Sequence, residues 1–83
     1  MIISSYKQKK KNTNMQFEQI HSWYYEGTEL FCSDRFDEAI EYYDKIIELD
    51  PNSKIAWGYK ARALSKLKRY DDAFECYQIA LKC

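Results

Sequence analysis

Two stacked helix–turn–helix hairpins, and so an all-α fold, are expected from three features of this 83-residue chain. Apolar residues recur at spacings of three and four, which lines one face of a helix. Glycine and proline are scarce, with two and one respectively, leaving few places for loops. The third feature sets the architecture. A shift of 34 positions pairs Trp23 with Trp57, Tyr25 with Tyr59, Leu30 with Leu64, Arg35 with Arg69, Asp37 with Asp71, Ala39 with Ala73, Glu41 with Glu75 and Tyr43 with Tyr77. Conservative pairs fill the gaps: Phe36 with Tyr70, Glu38 with Asp72, Ile40 with Phe74 and Ile47 with Leu81. A fixed period of this length marks a stack of hairpins, each too small to bury its apolar face alone.

Residues 1–15 read as a basic tail. The stretch 4–14 is polar, carries no periodic apolar positions and cannot bury a core, so disorder is expected there. The repeat domain is expected over 16–83, as one unit over 20–53 and a second over 54–83. The first helix, about 20–33, carries Trp23, Gly27, Leu30 and Phe31, and the polar run Ser33-Asp34-Arg35 ends it. The second, about 37–49, carries Phe36, Ala39, Ile40, Tyr43, Ile46 and Ile47 on one face. Pro51 stops it, because proline lacks an amide donor and disfavours helical backbone at Asp50. The third, about 54–67, presents Trp57, Ala61 and Leu64. The fourth, about 71–82, follows Lys68-Arg69-Tyr70 and turns Ala73, Phe74, Tyr77, Ala80 and Leu81 inward. Asp37 and Asp71 sit where a first helical turn favours negative charge.

The run Trp23, Gly27, Leu30, then Phe36-Asp37-Glu38-Ala39-Ile40-Glu41-Tyr42-Tyr43, then Leu49-Asp50-Pro51-Asn52 resembles one tetratricopeptide repeat from end to end. Trp57, Ala61, Leu64, Tyr70, Ala73, Tyr77, Ala80 and Leu81 resemble a second. The resemblance runs from Ile20 to Cys83 and implies a short right-handed solenoid. Gly27 and Ala61 stand where the two helices of a hairpin cross closely, and Ala39, Ala73 and Ala80 suit close approach for the same reason. Trp23, Trp57, Tyr43 and Tyr77 fill the gaps beside them, and such large-beside-small packing sets the register. Two departures stand out. Glu26 and Lys60 replace the usual leucine before the small residue and are read as an ion-pairing couple of modest value. No second Asp-Pro turn or capping helix precedes the end at Cys83, so the last helix's apolar face is expected to be partly open.

Formal net charge is zero, yet it is unevenly spread. Residues 1–19 carry four lysines and one acid, net +3; residues 20–53 carry two bases and nine acids, net −7; residues 54–83 carry seven bases and three acids, net +4. No apolar run approaches the roughly 18 residues that span a membrane. The three cysteines, Cys32, Cys76 and Cys83, have neither pairing nor metal-ligand spacing, which suggests a reducing, cytoplasmic setting. The sole histidine, His21, has no ligand or catalytic partner nearby in sequence, and no cysteine has a paired base. No phosphate-binding loop is present. A catalytic role, a cofactor and a metal are therefore not expected.

Protein or peptide binding is expected instead. The resemblance implies that first helices line a concave groove, placing Tyr24, Thr28, Phe31, Arg62, Ser65 and Lys66 on it, with Tyr25 and Tyr59 nearby. Aromatic and arginine side chains make good anchors. One subclass of the family clamps C-terminal carboxylates through lysine and asparagine at set positions; Tyr24, Thr28 and Tyr59 occupy those positions here, so that clamp is absent as the family builds it. Arg62 and Lys66, one turn apart, suit an acidic peptide. Two other readings compete. Two repeats fall short of the three or so usual for stability, so the chain is alternatively a self-associating unit, or part of a longer repeat protein, that uses Phe74, Tyr77 and Leu81. More weakly, Lys9-Lys10-Lys11 offers contact to nucleic acid or an anionic surface.

Overall fold

The computed structural model describes the backbone from residue 2 and side chains from residue 16 to Cys83. Four helices follow one another: α1 (Ile2–Cys32), α2 (Phe36–Leu49), α3 (Lys54–Lys66) and α4 (Tyr70–Lys82). Both α1 and α3 pack against α2, and α4 packs against α3, so two hairpins stack into one all-α unit. The last three helices start and stop within a residue of the expected bounds. The first begins well before residue 20, because residues 16–19 contain no glycine or proline to break it. The bounds of α1 also take in residues 2–15, set apart above as a tail; the side chains of that stretch, its lysine cluster included, lie outside the described residues.

The 34-residue period is visible atom by atom in the turns. Asp34 and Lys68 both adopt left-handed backbone, with φ of 63° and 65°. The Arg35 and Arg69 amides donate back to the Leu30 and Leu64 carbonyls, each at 2.9 Å, and the Asp34 and Lys68 amides to Phe31 and Ser65 at 3.1 and 2.9 Å. This paired pattern satisfies the carbonyls left free where α1 and α3 end. Arg35 then grips Glu38 at 2.6 Å, and Arg69 grips Asp72 at 2.8 Å, at the start of the following helix. These pairs are exposed and contribute little energy. At the Asp50-Pro51 turn, the Ser53 hydroxyl caps α3 by accepting the Ala56 amide at 3.2 Å. The Trp57 indole N–H donates to the Pro51 carbonyl at 2.7 Å, tying α3 to the same turn.

Small residues sit at the helix crossings. Ala39, Ala56, Ala61 and Ala63 have no exposed surface, and Ala73 is 2% exposed. A Cβ placed on Gly27 would lie 2.9 Å from Tyr43 Cε1, so only glycine lets α1 approach α2 this closely. Tyr43 and Ile46 are the largest fully buried side chains. One core cluster gathers them with Ala39 and Ala56; a second joins Ala61, Leu64, Ala73 and Cys76, with Trp57 and Ile40 against it.

Three expectations fail. Phe74, Tyr77 and Leu81 do not face inward: they are 61%, 41% and 81% exposed, which agrees instead with the partly open face also expected of the last helix. Of their counterparts one repeat earlier, Tyr43 is buried under Tyr59 and Ile40 is half-buried against the cluster of the second hairpin, while Ile47 is half-buried; no further hairpin lies on α4 among the described residues. Tyr70, expected as packing, is 63% exposed, whereas its counterpart Phe36 meets Phe31 edge-on at 5.1 Å. Lys60 pairs with Asp44 at 2.7 Å, not with Glu26, because α3 lies directly on α2.

Candidate functional site

The candidate groove residues lie on α1 and α3, and most of them meet around one buried ring. Tyr43 of α2 is fully buried and forms the platform. Tyr59 stacks on it with ring centroids 5.5 Å apart and planes inclined by 16°. Tyr24 leans on it at 6.5 Å and 50°. The Tyr24 hydroxyl shares a 2.8 Å hydrogen bond with Ser53 Oγ, so the cap of α3 also holds the ring of α1. The exposed Arg62 guanidinium lies over two rings, Phe31 at 5.9 Å and Tyr59 at 5.8 Å. A cation over an aromatic face is attracted by the ring quadrupole. A flexible side chain is thereby held with its charge still open to solvent.

Tyr24, Phe31, Tyr59 and Arg62 therefore come together. Thr28 is exposed at the edge of this group, next to the buried Tyr43 ring's helix. Lys66 is exposed one turn beyond Arg62. Sequence reasoning missed Tyr43 as the shared platform and Ser53 as the joint between cap and ring. The signal for the first was present: Tyr43 and Tyr59 belong to the repeated pairs Tyr43/Tyr77 and Tyr25/Tyr59.

Burial raises the phenol pKa of Tyr43, and the Thr28 side chain eases the shift without forming a regular hydrogen bond; the Tyr43 hydroxyl is buried with no partner. Burial also raises Tyr24, against the Ser53 hydrogen bond, which lowers it. Cys76 is raised by burial too, which keeps its thiol protonated and unreactive.

Beside the aromatic group lies an open hollow of about 380 Å³, lined by Ile55, Gly58, Tyr59, Arg62 and Tyr77. A second hollow, of about 370 Å³, runs along α2, α3 and α4, with Trp57, Leu64 and Cys76 in its wall. Four of the charged residues at its rim are paired, Lys60 with Asp44 and Arg69 with Asp72, and Glu75 stands beside them. Among the described residues no helix is long and apolar enough to cross a membrane.

Residues 21–53 match a family model of the tetratricopeptide repeat, and residues 42–75 match a second model of the same description. An uncharacterized protein of Methanocaldococcus jannaschii is 42% identical over 55 residues, covering 66% of this chain and 64% of its own length. The protein STIP1 homolog of Dictyostelium discoideum is 34% identical over 56 residues, covering 68% of this chain and 10% of its own length. The chain thus spans under two thirds of the first relative and a tenth of the second.

Proposed function

Because the chain belongs to the tetratricopeptide repeat family, whose repeats are non-catalytic units of protein–protein interaction, we propose that it holds an acidic peptide segment of a partner protein across α1 and α3. The observation that carries this reading is Arg62, exposed yet steadied over Phe31 and Tyr59. A preplaced guanidinium loses less conformational freedom when it meets a carboxylate, and its fork suits two-point contact. Lys66 adds a second charge one turn on, and Tyr24, Thr28 and Tyr59 supply contact area beside it. The three free cysteines favour a reducing, cytoplasmic setting, where such a module meets its partner.

Fluorescence anisotropy with short labelled peptides of Glu, Asp and Leu tests the reading. Arg62→Ala with Lys66→Ala is expected to weaken binding at least tenfold, and raised salt to weaken it in the wild type. Equal binding by the double variant removes the groove reading.

A second reading rests on a different observation. Phe74, Tyr77 and Leu81 leave an apolar strip along α4 that its counterpart α2 does not leave. Strips of this kind mark association surfaces, and self-association through this face is the alternative function.

A further inference from the structure

The junction between the two hairpins is a template for a contact between two molecules. Within the chain, Tyr59 of α3 stacks on Tyr43 of α2, and Ala56 is fully buried beside it. One period earlier than Tyr59 and Ala56 stand Tyr25 and Ser22 on α1; one period later than Tyr43 stands Tyr77 on α4. Both tyrosines of the stack therefore recur, identical in type, at opposite ends of the molecule. Neither is covered: Tyr25 is 63% exposed and Tyr77 41% exposed. Tyr77 and Gly58 both line the hollow of about 380 Å³.

We propose that a second copy of this chain docks there head to tail, its Tyr25 stacking on Tyr77 and its Ser22 lying over Gly58. The contact repeats, between molecules, the step that α3 makes on α2 within one molecule. This rests on the self-association reading and specifies both of its surfaces. Three observations select a second copy as the occupant. The incoming α1 carries the same tyrosine that fills this seat inside the chain. The residue beside it is small, as the close approach demands. The incoming hairpin, 20–53, is net −7 and the receiving one, 54–83, is net +4, its positive charge lying on α3 and the turn after it, with Arg62 lining the hollow. Opposite charge favours this orientation over contact between like ends. The surfaces differ, so the contact is heterologous and adds further copies in one direction.

Light scattering across a concentration series tests the proposal, with circular dichroism confirming helix in each variant. Both tyrosines are exposed, so their replacement leaves the core intact. Wild-type mass is expected to climb above 10.0 kDa with concentration and to fall back as salt is added. Tyr25→Arg spoils only the head and Tyr77→Arg only the seat. Each alone is expected to stay at 10.0 kDa, while an equimolar mixture reaches twice that mass and stops, since one intact head meets one intact seat. If Tyr25→Arg alone still associates, the contact joins α4 to α4; head-to-tail docking is overturned and self-association survives. A mixture that stays monomeric while the wild type associates also overturns it. A wild type that stays at 10.0 kDa at the highest attainable concentration removes both.

Discussion

At the scale of single residues, the two glycines of this molecule have opposite meanings. Both lie inside helices, where glycine costs about 1 kcal/mol relative to alanine. At Gly27 an added Cβ would meet Tyr43 Cε1 at 2.9 Å and Cζ at 3.1 Å. Tyr43 has no exposed surface and cannot swing aside. Overpacking of this kind costs about 1–3 kcal/mol, which outweighs the gain in helix propensity. At Gly58 an added Cβ meets nothing within 4 Å. Urea unfolding is therefore expected to show Gly27→Ala less stable by about 1 kcal/mol and Gly58→Ala more stable by about 0.5–1 kcal/mol. The same sign for both would mean that the α1–α2 crossing is looser than Tyr43 implies.

At the scale of helices, the ends are where stability is still to be gained or lost. Neither α2 nor α4 has a side-chain cap, whereas α3 has Ser53, which also anchors the Tyr24 hydroxyl. Ser53→Ala is expected to lower stability by about 1 kcal/mol through the lost cap, with the loss of the Tyr24 contact added to it. The turn after α3 holds Lys68 at φ 65°, a conformation that costs a residue with a Cβ about 1–2 kcal/mol. Lys68→Gly relieves that strain, less the extra freedom glycine gives the unfolded chain, so the thermal midpoint is expected to rise by a few degrees. Asp34, at φ 63°, gains less from the same change, because aspartate tolerates left-handed backbone better than lysine. A midpoint that does not rise for Lys68→Gly would remove the strain from this account.

At the scale of the whole molecule, a domain this small buries only about 60% of the surface its unfolded chain exposes, so small terms count. Tyr24, Tyr43 and Cys76 all have pKa values raised by burial. An acid raised in the folded state holds its proton longer there than in the unfolded chain. Its contribution is complete below the unfolded value and drains away as pH rises through the folded one. Those unfolded values are 9.0 for the thiol and 10.0 for the phenols, so stability is expected to fall on the alkaline side, from about pH 9 upward. Tyr43→Phe removes one of these groups and, with it, a buried hydroxyl that has no partner. It is expected to be at least as stable as the wild type at neutral pH and to lose less stability on the way to high pH. A steeper alkaline decline in the variant would contradict this.

Much of the fold was legible in the sequence because it is written locally. Helix bounds follow from Pro51, from the Ser33-Asp34-Arg35 break and from apolar spacing, all of which act within a few residues. The small residues at the crossings were legible because a period of 34 sets Gly27 and Ala61, or Ala39 and Ala73, side by side. The aromatic and arginine residues of α1 and α3 were named from the family resemblance rather than from the period, which sets Tyr24 on Gly58 and Phe31 on Ser65. Repetition hid what differs between the two hairpins. Tyr43 and Tyr77 are the same residue at the same position, yet one is fully buried and the other 41% exposed. Burial belongs to whatever lies on top, and the sequence of a repeat does not contain its neighbour. Lys60 found Asp44 rather than Glu26 because stacking brought α3 onto α2, a choice of helix partner that spacing along the chain cannot express. Composition and period by themselves determined four helices in two like units; only their packing decided which tyrosines became core and which became surface.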